Sequence, residues 1–528
     1  MPQPAAEPAA GQPSSPGLIS RLTVLARSIP RVLRRNWLAS ILITCGAVLR
    51  ILTEMAYHPA IIYIDSLKYL YDAWPGADPV GYKIPLKMIL AVGDLGTVEF
   101  VQHLLGIAIA VTIYLVMVRR GVVRWLAALA IAPVLLDAYQ LNVEAMIMPD
   151  VWFEAFIVGG LAMLLWRENL TLPMAMIGGA LLGGSVGLRQ VGEVLIIPAL
   201  IIVAVMGGGW NTIARRATAV TMAFALAVLF YLSASYELTG HFWISRSSVS
   251  LTYGRMAAVA GCATLKLPAI ERPLCPDKRQ QAAGPDWLDH SVYSPLRTYG
   301  NVLPPSLANN HDNLVVNFNH AVESQQPLRV IRAIARDSVK LFALTRDTSP
   351  GDTPIARWQF QKTFPTQGYT PWVTVKNDRI WVDTGTLASS SVSELKPSYG
   401  GPPQVDKPIA DFLRAYQLHG GYTPGPLYLL CVIVGLIGSV LAFARRRLNP
   451  VRRELALGCL AFFITGLLVL GVSDVFEFTW RYQLPALVTL PPAGAFGLSV
   501  LLLARRRRAA EPGDTVSERA PEMATPAQ

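Results

Sequence analysis

Charged side chains are scarce in this chain. Asp, Glu, Lys and Arg make up 15% of its 528 residues, whereas 52% of the residues are hydrophobic. Soluble globular domains carry about 25% charged residues. Long stretches, such as residues 98–117 and 484–504, contain almost none. Because a helix needs about 20 apolar residues to cross the hydrocarbon core of a bilayer, this distribution argues against a soluble fold and predicts an all-α integral membrane protein.

Cysteine is also infrequent, with five residues in the whole chain. Cys45, Cys431 and Cys459 fall inside apolar segments, where cysteine is most simply a small core residue. Cys262 and Cys275 fall in a large polar region. If that region is extracytoplasmic, a disulfide between them is expected. It would close a short loop and stabilise the fold by about 3 kcal/mol in the chain-entropy model.

Other common signals are missing from the sequence. His58, His103 and His241 do not follow the spacing of metal ligands, so no zinc site is predicted. Heptads and short internal repeats are not evident. The first seventeen residues are rich in Pro, Ala, Gly and Ser, a composition typical of disorder. We therefore predict disordered tails at 1–17 and 509–528, and an uncleaved first spanning helix that directs insertion.

Apolar segments of sufficient length predict about ten membrane spans. The first covers residues 37–55, and the others are centred near Ile109, Pro133, Val158, Leu181, Ala199, Leu226, Val434, Phe463 and Val488. Seven of them precede a large region rich in Pro, Gly, Ser and Asn, and three follow it. This pattern predicts a membrane bundle at 18–236 with a long, membrane-apposed first outer loop, a mixed outer domain at 237–423 and the last spans at 424–508.

The net charge of +11 is concentrated at the ends of apolar segments. If there are ten spans, every arginine cluster between spans lies on the side of the basic N-terminal segment. Since Lys and Arg are enriched in cytoplasmic loops, this predicts a multi-pass protein of the plasma (inner) membrane with both termini cytoplasmic. The basic excess then needs no nucleic-acid partner. The clusters are Arg119, Arg120 and Arg124; Arg167; Arg215 and Arg216; 445–453; and 505–508.

The opposite, extracytoplasmic side collects the ionisable residues of interest. Such residues at or below the membrane surface are costly and often functional. The prediction therefore places a working surface on the outer face, in a cavity open outward and toward lipid. Its carboxylates are Asp65, Glu144 and Asp150, and its cations are Lys83, Arg189, Arg255 and Arg481.

Except for Arg255, these residues lie in five short motifs whose order resembles the GT-C glycosyltransferases that use polyprenyl-phosphate sugars. That superfamily includes protein O-mannosyltransferases, aminoarabinose transferases and arabinofuranosyltransferases. The resemblance covers roughly the first 210 residues and the last outer loop, although Ser66 stands where the family often carries a second acid. The motifs are Tyr63-Ile-Asp65-Ser-Leu-Lys-Tyr69, Tyr82-Lys83-Ile-Pro85-Leu86, Glu144-Ala-Met-Ile-Met-Pro149-Asp150, Gly187-Leu-Arg189-Gln-Val-Gly192 and Trp480-Arg481-Tyr482-Gln-Leu-Pro485.

The resemblance implies a GT-C-like bundle and an inverting transferase. Its donor would be a polyprenyl-phosphate sugar, and its acceptor would be a cell-envelope glycan, lipid or protein. Membrane lipids would surround the bundle. Asp65 would be the base, while Asp150 and Glu144 would orient the acceptor or bind a divalent cation, the one candidate cofactor. The phosphate would be held by charged hydrogen bonds. Its ligands would be Lys83, Arg189, Arg255 and Arg481.

Simpler interpretations stay open for these residues. Asp65 and Asp150 suit helix caps, and Arg189 and Arg481 could extend toward lipid headgroups. Arg50 and Glu54 are four residues apart and are expected to neutralise each other on one helix. At the level of function, the alternatives are a transporter or flippase of a lipid-linked or anionic substrate and a non-enzymatic membrane assembly or binding protein.

Overall fold

The computed structural model describes residues 33–74, 78–364, 372–385, 390–443 and 448–510. The predicted N-terminal tail and residues 511–528 of the predicted C-terminal tail lie outside them. The described residues are mainly helical. The helices of the bundle are α1 (Trp37–Ala56), α2 (Ile64–Leu70), α3 (Lys83–Leu90), α4 (Leu95–Arg119), α5 (Arg124–Leu136), α6 (Ala138–Ala145), α7 (Asp150–Leu165), α8 (Leu172–Gly184), α9 (Ile196–Met206) and α10 (Trp210–Thr239).

The remaining helices follow residue 240, as do four of the five strands found in the described part of the chain. These five strands form one antiparallel pair and one three-stranded antiparallel sheet. The helices are α11 (Ser247–Val259), α12 (Lys278–Ala282), α13 (Gly284–His290), α14 (Pro295–Val302), α15 (His311–Gln325), α16 (Pro327–Lys340), α17 (Lys407–Leu418), α18 (Gly425–Phe443), α19 (Pro450–Phe476) and α20 (Pro485–Ala510), and the strands are β1 (Tyr57–His58), β2 (Val373–Lys376), β3 (Arg379–Asp383), β4 (Val392–Glu394) and β5 (Gln404–Val405).

The apolar helices make this chain a membrane protein. A helix lies at each of the ten predicted positions, but they differ in length. Among the described residues, six helices are long and apolar enough to cross a membrane: α1, α4, α10, α18, α19 and α20. Helices α5 and α6 would form a seventh span if they count as one, with a bend of 49° between them. The bend falls at Asp137, which ends α5 and whose carboxylate accepts a hydrogen bond from Tyr139 N at the start of α6.

Helices α8 and α10 pack with their backbones in close approach. A Cβ atom added at Gly179 would lie 2.4 Å from Val220 O, and one added at Gly183 would lie 2.5 Å from Phe224 O. Small residues allow this kind of contact between helices in membranes, where packing rather than water drives association. The short α8 is thereby held against a long helix.

Substitution of Gly183 by valine should therefore lower the thermal unfolding temperature of the purified protein. Overpacking of a tight interface typically costs about 1–3 kcal/mol. The matched control is Gly471→Val in α19, because a Cβ at Gly471 meets no atom within 4 Å. Equal unfolding temperatures for the two variants would show that the α8–α10 contact does not support the fold.

The region 237–423 has a hydrophobic core of its own. Tyr253, Leu288 and Phe318 are among its buried side chains, which come from α11, α13 and α15. Cys262 and Cys275 form a disulfide beside this core, with Cα atoms 6.0 Å apart. The region is joined to the bundle by a bidentate ion pair, in which Arg346 donates to Asp137 at 3.1 and 2.6 Å.

Backbone pairing draws the first outer loop onto other motifs. Ile61 N donates to Ala145 O at 3.2 Å, and Ile147 N donates to Ile61 O at 3.3 Å. Gly81 N donates to Gly187 O at 2.8 Å. These bonds place the segment before Asp65 beside the one that leads to Asp150, and the later part of the loop beside the segment that leads to Arg189.

Candidate functional site

Arg481 joins two of the predicted carboxylates. Its Nη1 lies 2.5 Å from Asp65 Oδ2, its Nη2 lies 2.8 Å from Asp150 Oδ2, and its Nε lies 3.0 Å from Asp150 Oδ1. The guanidinium thus binds Asp150 with two parallel bonds and Asp65 with a third. Arginine is suited to this geometry because its donors form a rigid planar fork. Residues 416 and 331 positions apart in the chain meet at one side chain.

Each of these charged residues lies at or near the end of a secondary-structure element. Asp65 lies in the first turn of α2, and Asp150 is the first residue of α7. Arg189 separates two short 3-10 segments, and Arg481 lies in the turn between α19 and α20. Helix ends leave backbone groups without intrahelical partners, so the chain there can bend and direct side chains into a common space.

Two further cations complete this group. Arg189 Nη1 lies 3.0 Å from Asp150 Oδ1, and Lys68 Nζ lies 3.1 Å from Asp65 Oδ1. Lys68 also pairs with Asp78. We call Asp65, Lys68, Asp150, Arg189 and Arg481 the Arg481 cluster. Lys68 was not predicted as a site residue, although it lies three positions after Asp65 on the same helix face and within the quoted motif.

Aromatic rings line the Arg481 cluster. The Arg189 guanidinium carbon lies 4.4 Å from the ring centre of Tyr482, and that of Arg481 lies 5.4 Å from the ring of Trp358. Trp358 in turn lies 5.1 Å from the ring of Tyr63. Cation–π contacts hold both guanidinium groups in place, so the directions of their N–H donors are fixed.

No protein-family model, no curated protein and no solved structure matches this chain.

The charge balance of the Arg481 cluster keeps Asp65 ionised. Burial opposes the charged form, but the charges of Lys68 and Arg481 outweigh it and hold the pKa of Asp65 well below its usual range. Such a carboxylate binds a proton weakly as long as both cations contact it. An added anion that drew these cations away would make Asp65 a stronger base.

A second group of ionisable residues lies around Glu477, directly after α19. Burial, together with the charge of Asp286, raises the pKa of Glu477 to about 8. Asp289, His290 and Arg357 act on the same carboxyl group. Arg357 also donates to both oxygens of Asp286 at 3.2 and 3.0 Å. These neighbours come from segments distant in the sequence.

The two groups are electrostatic neighbours at Tyr63. Burial raises the pKa of its hydroxyl, and the charges of Asp65, Arg357 and Arg481 all act on it. Tyr63 therefore lies within electrostatic range of both the Arg481 cluster and the group around Glu477.

The divalent cation that the resemblance allows does not fit the described residues as they stand. Within the described part of the chain, no group of three or more His, Cys, Asp and Glu residues is arranged to hold a metal ion. Asp65 and Asp150 instead converge on the Arg481 guanidinium, which lies between them.

Lys83 lies in the same outer loop as Asp65 but has a different partner. Its amine pairs with Asp72, and only 7% of its side chain is exposed. Lys83 begins α3, where a backbone bond from Gly81 to Gly187 keeps it close to the segment of Arg189. It stays a candidate phosphate ligand outside the Arg481 cluster.

Arg255 differs from its predicted role. It is 1% exposed and donates to Asp474 O at 3.1 Å and Phe476 O at 3.1 Å, which are carbonyls in the last turn of α19. Its Nη2 also lies 2.6 Å from Asp337 Oδ2. Arginine at a helix C-terminus satisfies carbonyls that have no intrahelical partner. The prediction that Arg255 binds phosphate is corrected to a structural role.

Glu144 also differs from its predicted role at the working surface. It is 0% exposed and accepts two bonds of 2.8 Å from Arg50, and His103 Nδ1 lies 3.0 Å away. The expected pair of Arg50 with Glu54 is therefore wrong. Gln102 donates to Glu144 O and Met146 O at 2.7 and 2.8 Å, so this network holds the strand-like turn that leads to Asp150.

Removal of the Glu144 carboxylate should destabilise the fold strongly. Glu144→Ala leaves the buried Arg50 unpaired, which typically costs about 3–5 kcal/mol, whereas replacing both partners by apolar residues is far less harmful. We expect Arg50→Leu/Glu144→Leu to unfold at a higher temperature than Glu144→Ala. The exposed pair of Arg379 and Glu394 is the control. A catalytic Glu144 would instead give a stable but inactive Glu144→Gln variant.

Proposed function

We propose that the protein is an inverting glycosyltransferase that moves a sugar from a polyprenyl phosphate to a cell-envelope acceptor. The observation that carries this proposal is the position of Arg481 between Asp65 and Asp150, with Arg189 and Lys68 on the same carboxylates. A carboxylate base beside cations that can hold a phosphate is the minimum that this reaction requires. The acceptor can be a glycan, a lipid or a protein.

Ten spans and an extracytoplasmic site form part of the same proposal. Helices α7, α8 and α9 are too short or too polar to pass as spans alone, but they pack within the bundle. With α5 and α6 as one span, they bring the number to about ten, and the arginine clusters then all lie on one side. Both termini would be cytoplasmic in the plasma (inner) membrane. The Arg481 cluster would face outward, where polyprenyl-phosphate sugars are used.

The phosphate of the donor would take over the cations of the cluster. Arg481, Arg189 and Lys68 are the proposed ligands, and Lys83, which pairs with Asp72, is a further candidate. A charged hydrogen bond contributes about 1.5–3 kcal/mol. As phosphate draws Arg481 and Lys68 away from Asp65, the pKa of Asp65 rises from its low value. Donor binding would thus prepare the base.

The transfer step follows from this arrangement. The acceptor hydroxyl oxygen attacks the anomeric carbon as the bond from that carbon to the phosphate oxygen breaks. The hydroxyl proton passes to Asp65, and polyprenyl phosphate leaves with the bonding electron pair, stabilised by the cations. The phosphate is a good leaving group, so a second carboxylic acid, as used by glycosidases, is not needed. Attack from the face opposite the phosphate inverts the anomeric centre.

The experiment is incubation of the purified protein in vesicles with candidate polyprenyl-phosphate sugars, followed by measurement of released polyprenyl phosphate. Mass spectrometry of cell-envelope glycans after deletion of the protein would select the sugars and acceptors to try. Release that depends on acceptor supports transfer. If a donor selected in this way binds the protein but is never cleaved with its matching acceptor, the proposal is wrong.

A second candidate is a transporter or flippase of a lipid-linked or anionic substrate. It is favoured by the buried ionisable side chains of Arg50, His103 and Glu144 among apolar helices, because ionisable residues inside spans often mark substrate pathways. This function predicts movement of an intact sugar phosphate across the vesicle membrane. Transfer predicts a broken sugar–phosphate bond, so one labelled donor distinguishes the two.

A further inference from the structure

Helix α16 buries one face and leaves an apolar face uncovered. Val330, Ala333 and Asp337 are buried, whereas Leu328 and Ile331 are 65 and 59% exposed. Val339 is also 59% exposed and lies eight residues after Ile331, so it falls on the same stripe. The stripe runs along the whole helix, opposite the buried face. In a domain surrounded by water alone, one side of a helix would instead be polar.

The C-terminal end of α16 meets the ends of two candidate membrane spans. Ser338 Oγ donates to Asp474 Oδ2 at 2.7 Å, and Asp474 lies in the last turn of α19. Ala343 O accepts a bond of 3.2 Å from Gly425 N, the first residue of α18. Leu344, just beyond, is 74% exposed. The uncovered apolar stripe is therefore continuous with the ends of helices whose outer faces meet lipid.

Arginine borders the stripe on one side. Arg332 and Arg336 are exposed, and 71% of the Arg336 side chain is accessible. They follow Ile331 by one and five residues, which sets them at the edge of the apolar face. Lys340 instead points inward, where it pairs with Asp337 and Asp352 at 2.7 Å. An apolar stripe with guanidinium groups along its edge is the pattern of a helix that lies in a membrane interface.

We propose that α16 lies flat in the outer membrane surface, with Leu328, Ile331 and Val339 among the acyl chains and Arg332 and Arg336 on phospholipid phosphates. The occupant of this face is the lipid leaflet, since the stripe joins the lipid-facing ends of α18 and α19 and its arginines complement phosphate groups. The proposal concerns lipid contact alone. It does not depend on the transfer reaction, so it can hold or fail by itself.

Bimane labels on single cysteines test the position of the stripe. The labels would be placed by Ile331→Cys and Val339→Cys in a Cys45→Ser background, since Cys431 and Cys459 are buried and Cys262 and Cys275 are joined. The full chain would be reconstituted in phosphatidylcholine vesicles that contain doxyl-labelled phosphatidylcholine. We expect the doxyl lipid to remove more than half of the bimane fluorescence, together with a blue shift of the emission.

The control label is His320→Cys on α15, because 73% of the His320 side chain is exposed on a polar surface. It should stay open to the aqueous quencher iodide and respond little to doxyl lipid. If the labels at 331 and 339 behave like the one at 320, the helix does not lie in lipid and the proposal is overturned. The face would then be a surface for a protein partner.

A second series tests the arginines. Phosphatidylglycerol added to the vesicles should increase doxyl quenching of the label at Ile331→Cys, and Arg332→Ser with Arg336→Ser should abolish that increase. Arg279→Ser, at an exposed arginine of α12, is the matched control and should leave the increase intact. An increase that survives loss of both arginines would overturn their assignment to lipid phosphate.

Discussion

Arg481→Lys is expected to reduce sugar transfer by about 10²–10³-fold, the usual loss when one preorganised charged donor is removed. Lysine keeps the charge but loses the planar fork that binds Asp150 and Asp65 together. Its single ammonium group can contact one carboxylate or the donor phosphate, but not all three in one geometry. The measurement is the rate of polyprenyl phosphate release in vesicles at saturating acceptor.

The design separates catalysis from folding. Arg481→Ala leaves the buried Asp150 and the partly exposed Asp65 with fewer partners. It is expected to unfold more readily, so it serves only as a stability reference. The matched control is Arg246→Lys, because Arg246 also pairs with a carboxylate, Asp312 at 3.0 Å, and lies over a tryptophan ring. It is 54% exposed. A full rate in Arg481→Lys, with an unchanged unfolding temperature, would remove the central support of the proposed function.

Asp65→Asn is expected to lower transfer by about 10²–10⁴-fold, the contribution of a positioned general base. The amide has the size of the carboxylate and can still accept a bond from Arg481, so the fold and donor binding should persist. Donor binding is measured separately, by protection against thermal unfolding. Asp312→Asn, which alters an exposed and ion-paired carboxylate, is the control and should transfer at the full rate. Full activity of Asp65→Asn would show that Asp65 is not the base.

The pH dependence of the same residue has a definite sign. The pKa of Asp65 is lowered in the folded protein by Lys68 and Arg481, so its pairing stabilises the fold above the unfolded pKa of about 3.9. That contribution is lost only as the pH falls through the lower folded pKa. The stability difference between wild type and Asp65→Asn should therefore be constant from pH 7 to about pH 5 and shrink in stronger acid, as thermal unfolding would measure.

The positions of the helices followed from local composition. A helix lies at each of the ten predicted apolar segments, and six pass as membrane spans. The shorter α7 begins at Asp150 and contains Glu154, and α8 and α9 are separated by the bend that carries Arg189. Polar residues and breaks inside an apolar run shorten the continuous helix without moving it. Composition therefore locates segments well but does not set their lengths.

Partners could not be predicted in the same way. Arg50 was expected to pair with Glu54, but it binds Glu144, which is 94 residues away. Arg255 was predicted to bind phosphate, but its N–H groups donate to carbonyls at the end of α19, some 220 residues away. Local spacing predicts contacts within one helix. Local spacing carries no information about which helix ends meet. The burial and the partners of isolated charged residues therefore could not be predicted.

The sequence by itself determined that this chain is a helical membrane protein, because the cost of exposing apolar segments to water depends only on their composition and length. It also determined that Asp65, Asp150, Arg189 and Arg481 lie at segment ends, where polar groups are tolerated. Only the tertiary structure decided that these four meet, with Lys68, at one guanidinium, while Glu144 and Arg255 do not join them. The physical reason is that charge pairing acts through space, and the packing of the helices sets those distances.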